Sequence, residues 1–122
     1  MLKNDKSILV YGLSENEVDE FKSSGIKIIV VTDSMLKMRV RDIVSGLKFQ
    51  IFSINKINEK IILFNNLSEE ELNIFIGIAK AIVENPILAI VTPMSNEWEF
   101  AYLAEHLIEE REWHRKREKG RA

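Results

Sequence analysis

Residues 8–34 read ILVYGLSENEVDEFKSSGIKIIVVTDS, and residues 62–95 read ILFNNLSEEELNIFIGIAKAIVENPILAIVTPMS. Both stretches run apolar strand, Leu-Ser, Glu-x-Glu, apolar helix, apolar strand and Val-Thr, and self-similarity of this kind is the first clue to architecture. Ser14 with Glu17, and Ser68 with Glu71, stand at capping-box spacing, where the serine hydroxyl and the glutamate carboxylate satisfy each other's backbone N–H groups. Leu13 with Val18, and Leu67 with Leu72, have the spacing of a hydrophobic staple. The offset between copies is 54 residues at Ser14/Ser68 and 60 at Thr32/Thr92, because the second copy has the longer helix. Beyond that point the offset holds, so Met38 aligns with Trp98, Val40 with Phe100, Ile43 with Leu103 and Leu47 with Leu107. The pattern is strand–helix–strand–helix, twice.

Around these copies the organisation follows from local chemistry. Ile8–Tyr11, Ile28–Val31, Ile61–Phe64 and Ile87–Val91 are short continuous apolar runs, the signature of strands buried on both faces. Gly25 and the Asn85-Pro86 step stop the intervening helices. Met35–Leu47 predicts a second helix ending near Gly46. The last helix is expected to start around Ser95 or Asn96 and to continue to about Glu118. The expectation is one α/β domain over 1–122: repeat one at about 7–47, a connector at 48–60, and repeat two at about 61–118 with a basic tail. The two tandem β-α-β-α repeats would surround a mainly parallel, helix-covered sheet. Phe49, Ile51 and Ile54 in the connector have the composition of an extra strand.

The chain has 122 residues, 46% hydrophobic and 30% charged, with a net charge of −2. That is the balance of a soluble globular domain with a core, not of a disordered chain. No apolar run approaches the roughly 20 residues of a membrane-spanning helix. Met1–Ser7 lacks the apolar core of a signal peptide, so cytoplasmic residence is expected. Without cysteine there is no disulfide, thiol nucleophile or zinc-thiolate site.

Within the second copy, ILFNNLSEEELNIF, PILAIVTPMSNEW and LAEHLIEERE resemble the bacterial family called Domain of Unknown Function 3783. The resemblance runs from Glu59 to Glu112, its most specific parts being Thr-Pro…Trp and Glu-Arg-Glu. It implies a small bacterial cytoplasmic protein. It transfers no activity, cofactor or catalytic residue.

The residues themselves define two candidate regions. Thr32-Asp33-Ser34 and Thr92-Pro93-Met94-Ser95-Asn96 each follow a strand and open a helix, where ligands of open α/β sheets sit and where unpaired N–H groups attract anions. Thr32, Asp33, Thr92, Ser95 and Asn96 are therefore candidate ligand-binding residues. The same positions suit ordinary helix caps, with Asn96…Glu99 a second capping box and Thr92 held extended by Pro93. Gly12 is solitary, and neither G-x-G-x-x-G nor G-x-x-x-x-G-K-[ST] occurs, so no backbone cradle for nucleotide phosphates is predicted. Tyr11-Gly12 stands where a phosphoacceptor receiver would carry acids, and no G-x-S-x-G elbow occurs. His106 and His114 lie among helix glutamates without metal-site spacing. No catalytic residue, metal or cofactor is assigned.

The tail from Arg111 carries six basic and two acidic residues, which suits a helix C-terminus without any need for nucleic acid. On the last helix, Phe100, Leu103, Ala104, Leu107 and Ile108 form the core stripe, whereas Trp98, Tyr102, His106 and Trp113 gather on about the opposite side. The third helix is also apolar on more than one face. Such a helix must bury a second surface, and a homodimer or a protein partner is the expected occupant, with the connector folding over one helix as the intramolecular alternative. The favoured reading is a non-enzymatic binding or regulatory module acting through protein contacts. The other is a small-ligand binder or enzyme working at the strand ends.

Overall fold

The computed structural model describes residues 6–45 and 57–119, the last three by backbone alone. The first half builds strand β1 (Ser7–Tyr11), helix α1 (Glu15–Lys22) and strand β2 (Lys27–Val30), followed by helix α2 (Val40–Val44). The second builds β3 (Ile61–Asn65), α3 (Glu69–Ile82), β4 (Ile87–Ile90) and α4 (Phe100–Lys119). Both predicted capping boxes form. Ser14 Oγ accepts from Glu17 N–H at 3.3 Å while Ser14 N–H donates to Glu17 Oε1 at 2.8 Å, and the Ser68–Glu71 distances are 3.2 and 2.9 Å. After α1 and α3 the chain reverses through left-handed backbone at Gly25 (φ 88°) and Asn85 (φ 52°), residues that tolerate it.

The four strands form one sheet in the order β2-β1-β3-β4. β1 pairs parallel with β2 and β3 parallel with β4, but the central pair β1–β3 is antiparallel, so the sheet is mixed rather than mainly parallel. The physical reason lies in the join. Strand–helix–strand crossovers are right-handed, so parallel inner strands would set α1 and α3 on opposite faces, whereas the antiparallel pair sets both on one face, where they share a core. The middle of the central ladder is Leu9 opposite Leu63, the residue aligned with it by sequence in the other half. A second contact obeys the same rule: Arg39 and Glu99 form an isolated antiparallel bridge. There Val40 N–H donates to Trp98 O at 2.9 Å and Phe100 N–H to Met38 O at 2.8 Å.

That bridge explains why two predicted helices are shorter than expected. In place of a continuous helix from Met35, a 3-10 turn at Asp33–Met35 is followed by extended Arg39 (φ −70°, ψ 145°) and only then by α2. Likewise a 3-10 turn at Ser95–Glu97 precedes α4, which starts at Phe100 rather than at Ser95 or Asn96. The amide groups that would continue each helix instead cross to the other half. The end of the predicted second helix and the suggested extra strand at Phe49, Ile51 and Ile54 lie outside the described residues.

Alternation then builds two cores. Ile8, Val10, Ile62 and Phe64 face α1 and α3, where Val18, Phe21, Ala79 and Val83 meet them. Leu9, Tyr11, Ile61 and Leu63 face the opposite layer, packing with Leu36, Val40 and Ile43 and with Phe100, Leu103 and Ala104 of the predicted α4 stripe. The inner strands are buried on both faces as expected, whereas β2 and β4 are edges and only half covered.

Candidate functional site

Because the halves run antiparallel, the C-terminal ends of β2 and β4 lie at opposite ends of the sheet. Thr32 and Asp33 therefore do not share a site with Thr92, Ser95 and Asn96. At the second end Thr92 and Ser95 satisfy one another, while the buried Asn96 Oδ1 has no hydrogen-bond partner among the described residues. Thr92 N–H donates to Ser95 Oγ at 2.9 Å, Ser95 N–H donates to Thr92 Oγ1 at 3.0 Å, and Asn96 N–H donates to Thr92 O at 2.8 Å. Ser95 is buried. The Asn96…Glu99 box does not form, since the chain is already extended at Trp98 (φ −86°, ψ 150°), and Thr92 instead holds the start of the turn through Ser95.

The first end is different. An open groove of about 700 Å³ runs along it, lined among others by Tyr11, Thr32, Asp33, Asn58, Lys60 and Asn85. The Tyr11 ring is buried against the sheet, and its hydroxyl donates to Asp33 Oδ1 at 2.5 Å while accepting the Ile57 N–H at 3.3 Å. Burial, and then the Asp33 carboxylate, hold the Tyr11 phenol above its ordinary pKa, so it stays a donor. Asp33 is thereby fixed in orientation at the mouth of β2, and Thr32 Oγ1 pairs with Ser34 Oγ at 2.8 Å beside it. Gly12 (φ 82°) closes the wall: a Cβ there would collide with the Glu59 carbonyl oxygen. Glu59 itself is clasped by Arg111 of α4 through two hydrogen bonds of 2.9 and 2.5 Å, which lower the Glu59 pKa and raise that of Arg111.

One pair of contacts escaped the sequence reading although its signal was present. Lys6 and Lys60 hold the same place ahead of β1 and β3, and each reaches the capping-box glutamate of the other half: Lys6 Nζ to Glu71 Oε1 at 2.8 Å, Lys60 Nζ to Glu17 Oε2 at 3.0 Å. Burial alone would raise the Glu17 pKa, but the Ser14 N–H and Lys60 together bring it below the ordinary range. Glu71, bonded first to Lys6 and then to Ser68, is lowered from 4.5 to about 2. A carboxyl whose folded pKa is depressed stabilises the fold above its unfolded pKa, and that contribution is lost as pH falls toward the folded value. Stability is thus expected to be flat above about pH 5 and to decline as the pH drops from there toward about 2. Carboxyl NMR should find Glu71 titrating near 2 and moving up toward 4.5 in Lys6→Met. A Glu71 that titrates at the ordinary value in the unsubstituted chain would contradict this coupling.

The aromatic residues of the second half form a separate feature. Trp98 packs edge-on against Tyr102, with ring centroids 5.0 Å apart, and against His106 at 5.6 Å. Tyr102 is 56% and Trp113 54% exposed, and Trp113 instead pairs with His114 at 5.2 Å. The predicted stripe therefore divides into a three-ring cluster at the start of α4 and a tryptophan near its end. On α3, Ala79 is fully buried and Ile78 packs partly buried against the same core, whereas Ile74 is 60% exposed. The connector residues that could cover a helix lie outside those described.

The part of the chain that builds β3, α3, β4 and most of α4 can be set beside known families. Residues 60–113 match the family described as Domain of unknown function (DUF3783). The match begins at Lys60, whose ammonium holds Glu17, and ends at Trp113, so it covers the second half alone. No curated protein and no solved structure matches the chain. Among the described residues no group of three or more His, Asp or Glu is placed to hold a metal, and no helix is long and apolar enough to cross a membrane.

Proposed function

We propose that this protein is a bacterial, cytoplasmic, non-enzymatic binding or regulatory module, built from two tandem repeats and acting through protein contacts as a homodimer. The observation that carries the reading is the Trp98–Tyr102–His106 cluster, with Tyr102 more than half exposed. The fold does not demand aromatic rings there. The aligned places in the first half hold Met38 and Asp42, and Met38 is simply buried. Tyr102 and Trp113 are exposed and of residue types that anchor interfaces, and burying them on a partner removes apolar area from water. The family resemblance over 60–113 supports a half-chain unit and adds no activity.

The test is Tyr102→Glu combined with Trp113→Glu. Both side chains are exposed, so the variant is expected to keep its circular dichroism while its sedimentation mass falls from dimer to monomer. A wild-type chain that sediments as a monomer at high concentration would end the homodimer reading.

A second reading is favoured by the groove of about 700 Å³ beside Asp33, since ligand sites are concave and largely preformed. In that reading the first end of the sheet takes a small molecule oriented by Asp33, with Tyr11 holding the carboxylate in place. Native mass spectrometry of the purified protein separates the two: a retained small molecule supports the groove, a bare dimer supports the module.

A further inference from the structure

The aromatic cluster borders a groove of about 620 Å³, whose rim carries Lys37 and Arg39 from the first half and Glu97, Glu99 and Glu105 from the second. Arg39 and Arg41 are both spent on Glu97, at 3.6 and 2.8 Å. Among the described residues, no ion pair engages Lys37, Glu99 or Glu105, and all three are exposed. One groove thus presents an unpaired cation and unpaired anions together with exposed Tyr102. A partner of a single charge sign would be repelled by part of that rim. A two-fold copy can set its Lys37 on the partner's Glu105 and its Glu105 on the partner's Lys37, because an isologous contact places residue i on residue j and residue j on residue i.

We propose that this face receives a second copy of the chain, docked about a two-fold axis with Lys37 of each protomer against the partner's Glu105 and the two Tyr102 rings between them. The proposal rests on the self-association reading above and adds to it the occupant's register. Complementary charges fix register and exclude wrong partners, while the aromatic area supplies the burial.

A charge exchange tests it by analytical ultracentrifugation at low salt. Lys37→Glu places like charges at both reciprocal contacts, and so does Glu105→Lys, so each is expected to weaken dimerisation at least about tenfold. The double variant Lys37→Glu/Glu105→Lys should regain wild-type association. So should an equimolar mixture of the two single variants, because each contact then pairs opposite charges again. Recovery in the mixture also shows that the single variants are folded. Single variants that dimerise like the wild type, or a mixture that stays monomeric, would overturn the register. If either occurs while Tyr102→Glu/Trp113→Glu still dissociates the dimer, the aromatic interface stands and only this pairing falls; a monomeric wild type removes both.

Discussion

Phe64→Ala is expected to lower the free energy of unfolding by about 3–5 kcal/mol, the range for truncating a fully buried phenylalanine. Phe64 is 1% exposed in inner strand β3, on the face that α1 and α3 cover, and it packs in one cluster with Ile8, Val10, Phe21 and Ala79. Its neighbours come from both halves, so the cavity cannot be closed by moving one helix. For a domain whose total stability is about 5–15 kcal/mol, that loss is a large fraction. Urea denaturation followed by tryptophan fluorescence measures it directly. Phe75→Ala, at a half-buried position on α3, provides the contrast and should cost clearly less. If the two substitutions were equally mild, the layer between α1, α3 and the sheet would not be the packed core described above.

Gly12→Ala should also be severe, for two reasons that a comparison can separate. A non-glycine residue in left-handed backbone costs about 1–2 kcal/mol. Gly12 (φ 82°) and Gly25 (φ 88°) share that term, and at Gly25 nothing lies within 4 Å of an added Cβ. At Gly12 the Cβ meets the Glu59 carbonyl, and forced overpacking adds about 1–3 kcal/mol. The expected losses are about 1–2 kcal/mol for Gly25→Ala and about 2–5 kcal/mol for Gly12→Ala, read from denaturation midpoints. The backbone that must yield carries Lys60, whose carbonyl accepts the first amide of β4 at 2.8 Å. Equal losses at the two glycines would mean that the Glu59–Lys60 backbone gives way freely.

What could be read from the chain was what neighbouring residues decide. Ser14-x-x-Glu17 and Ser68-x-x-Glu71 specify helix starts within four residues, and both appeared where the spacing put them. The apolar runs announced the strands, and the helical period found Phe100, Leu103 and Ala104. An apolar run carries no direction, however, so nothing in Ile8–Tyr11 or Ile61–Phe64 distinguished a parallel join from the antiparallel one. The breaks at Arg39 and Glu99 were hidden for a related reason. Local propensity favoured continuous helices there, and the competing hydrogen bonds come from the far half of the chain. The candidate site was legible only in pieces. Thr32 and Asp33 were named, but Tyr11 joins them through the parallel pairing of β1 with β2, and Lys60 and Asn85 arrive through the pairings of β3 with β1 and β4. Thr92, Ser95 and Asn96 passed the same sequence criteria, yet Thr92 and Ser95 are occupied with each other and they lie at the other end of the sheet.

The Leu9–Leu63 pair and the Arg39–Glu99 bridge have a consequence for how such a molecule can change. In a dimer of identical subunits every substitution appears twice, so an innovation at one end must be tolerable at the other. Under the proposed tandem-repeat reading the two-fold relation sits within a single chain, and that constraint is lifted. Tyr11 and Asp33 occupy one end where Asn65 and Pro93 stand at the other, and Trp98 and Tyr102 stand where the opposite half keeps Met38 and Asp42. Each half can serve as inert scaffold for the other's specialisation, while the matched residues at the centre keep the two together.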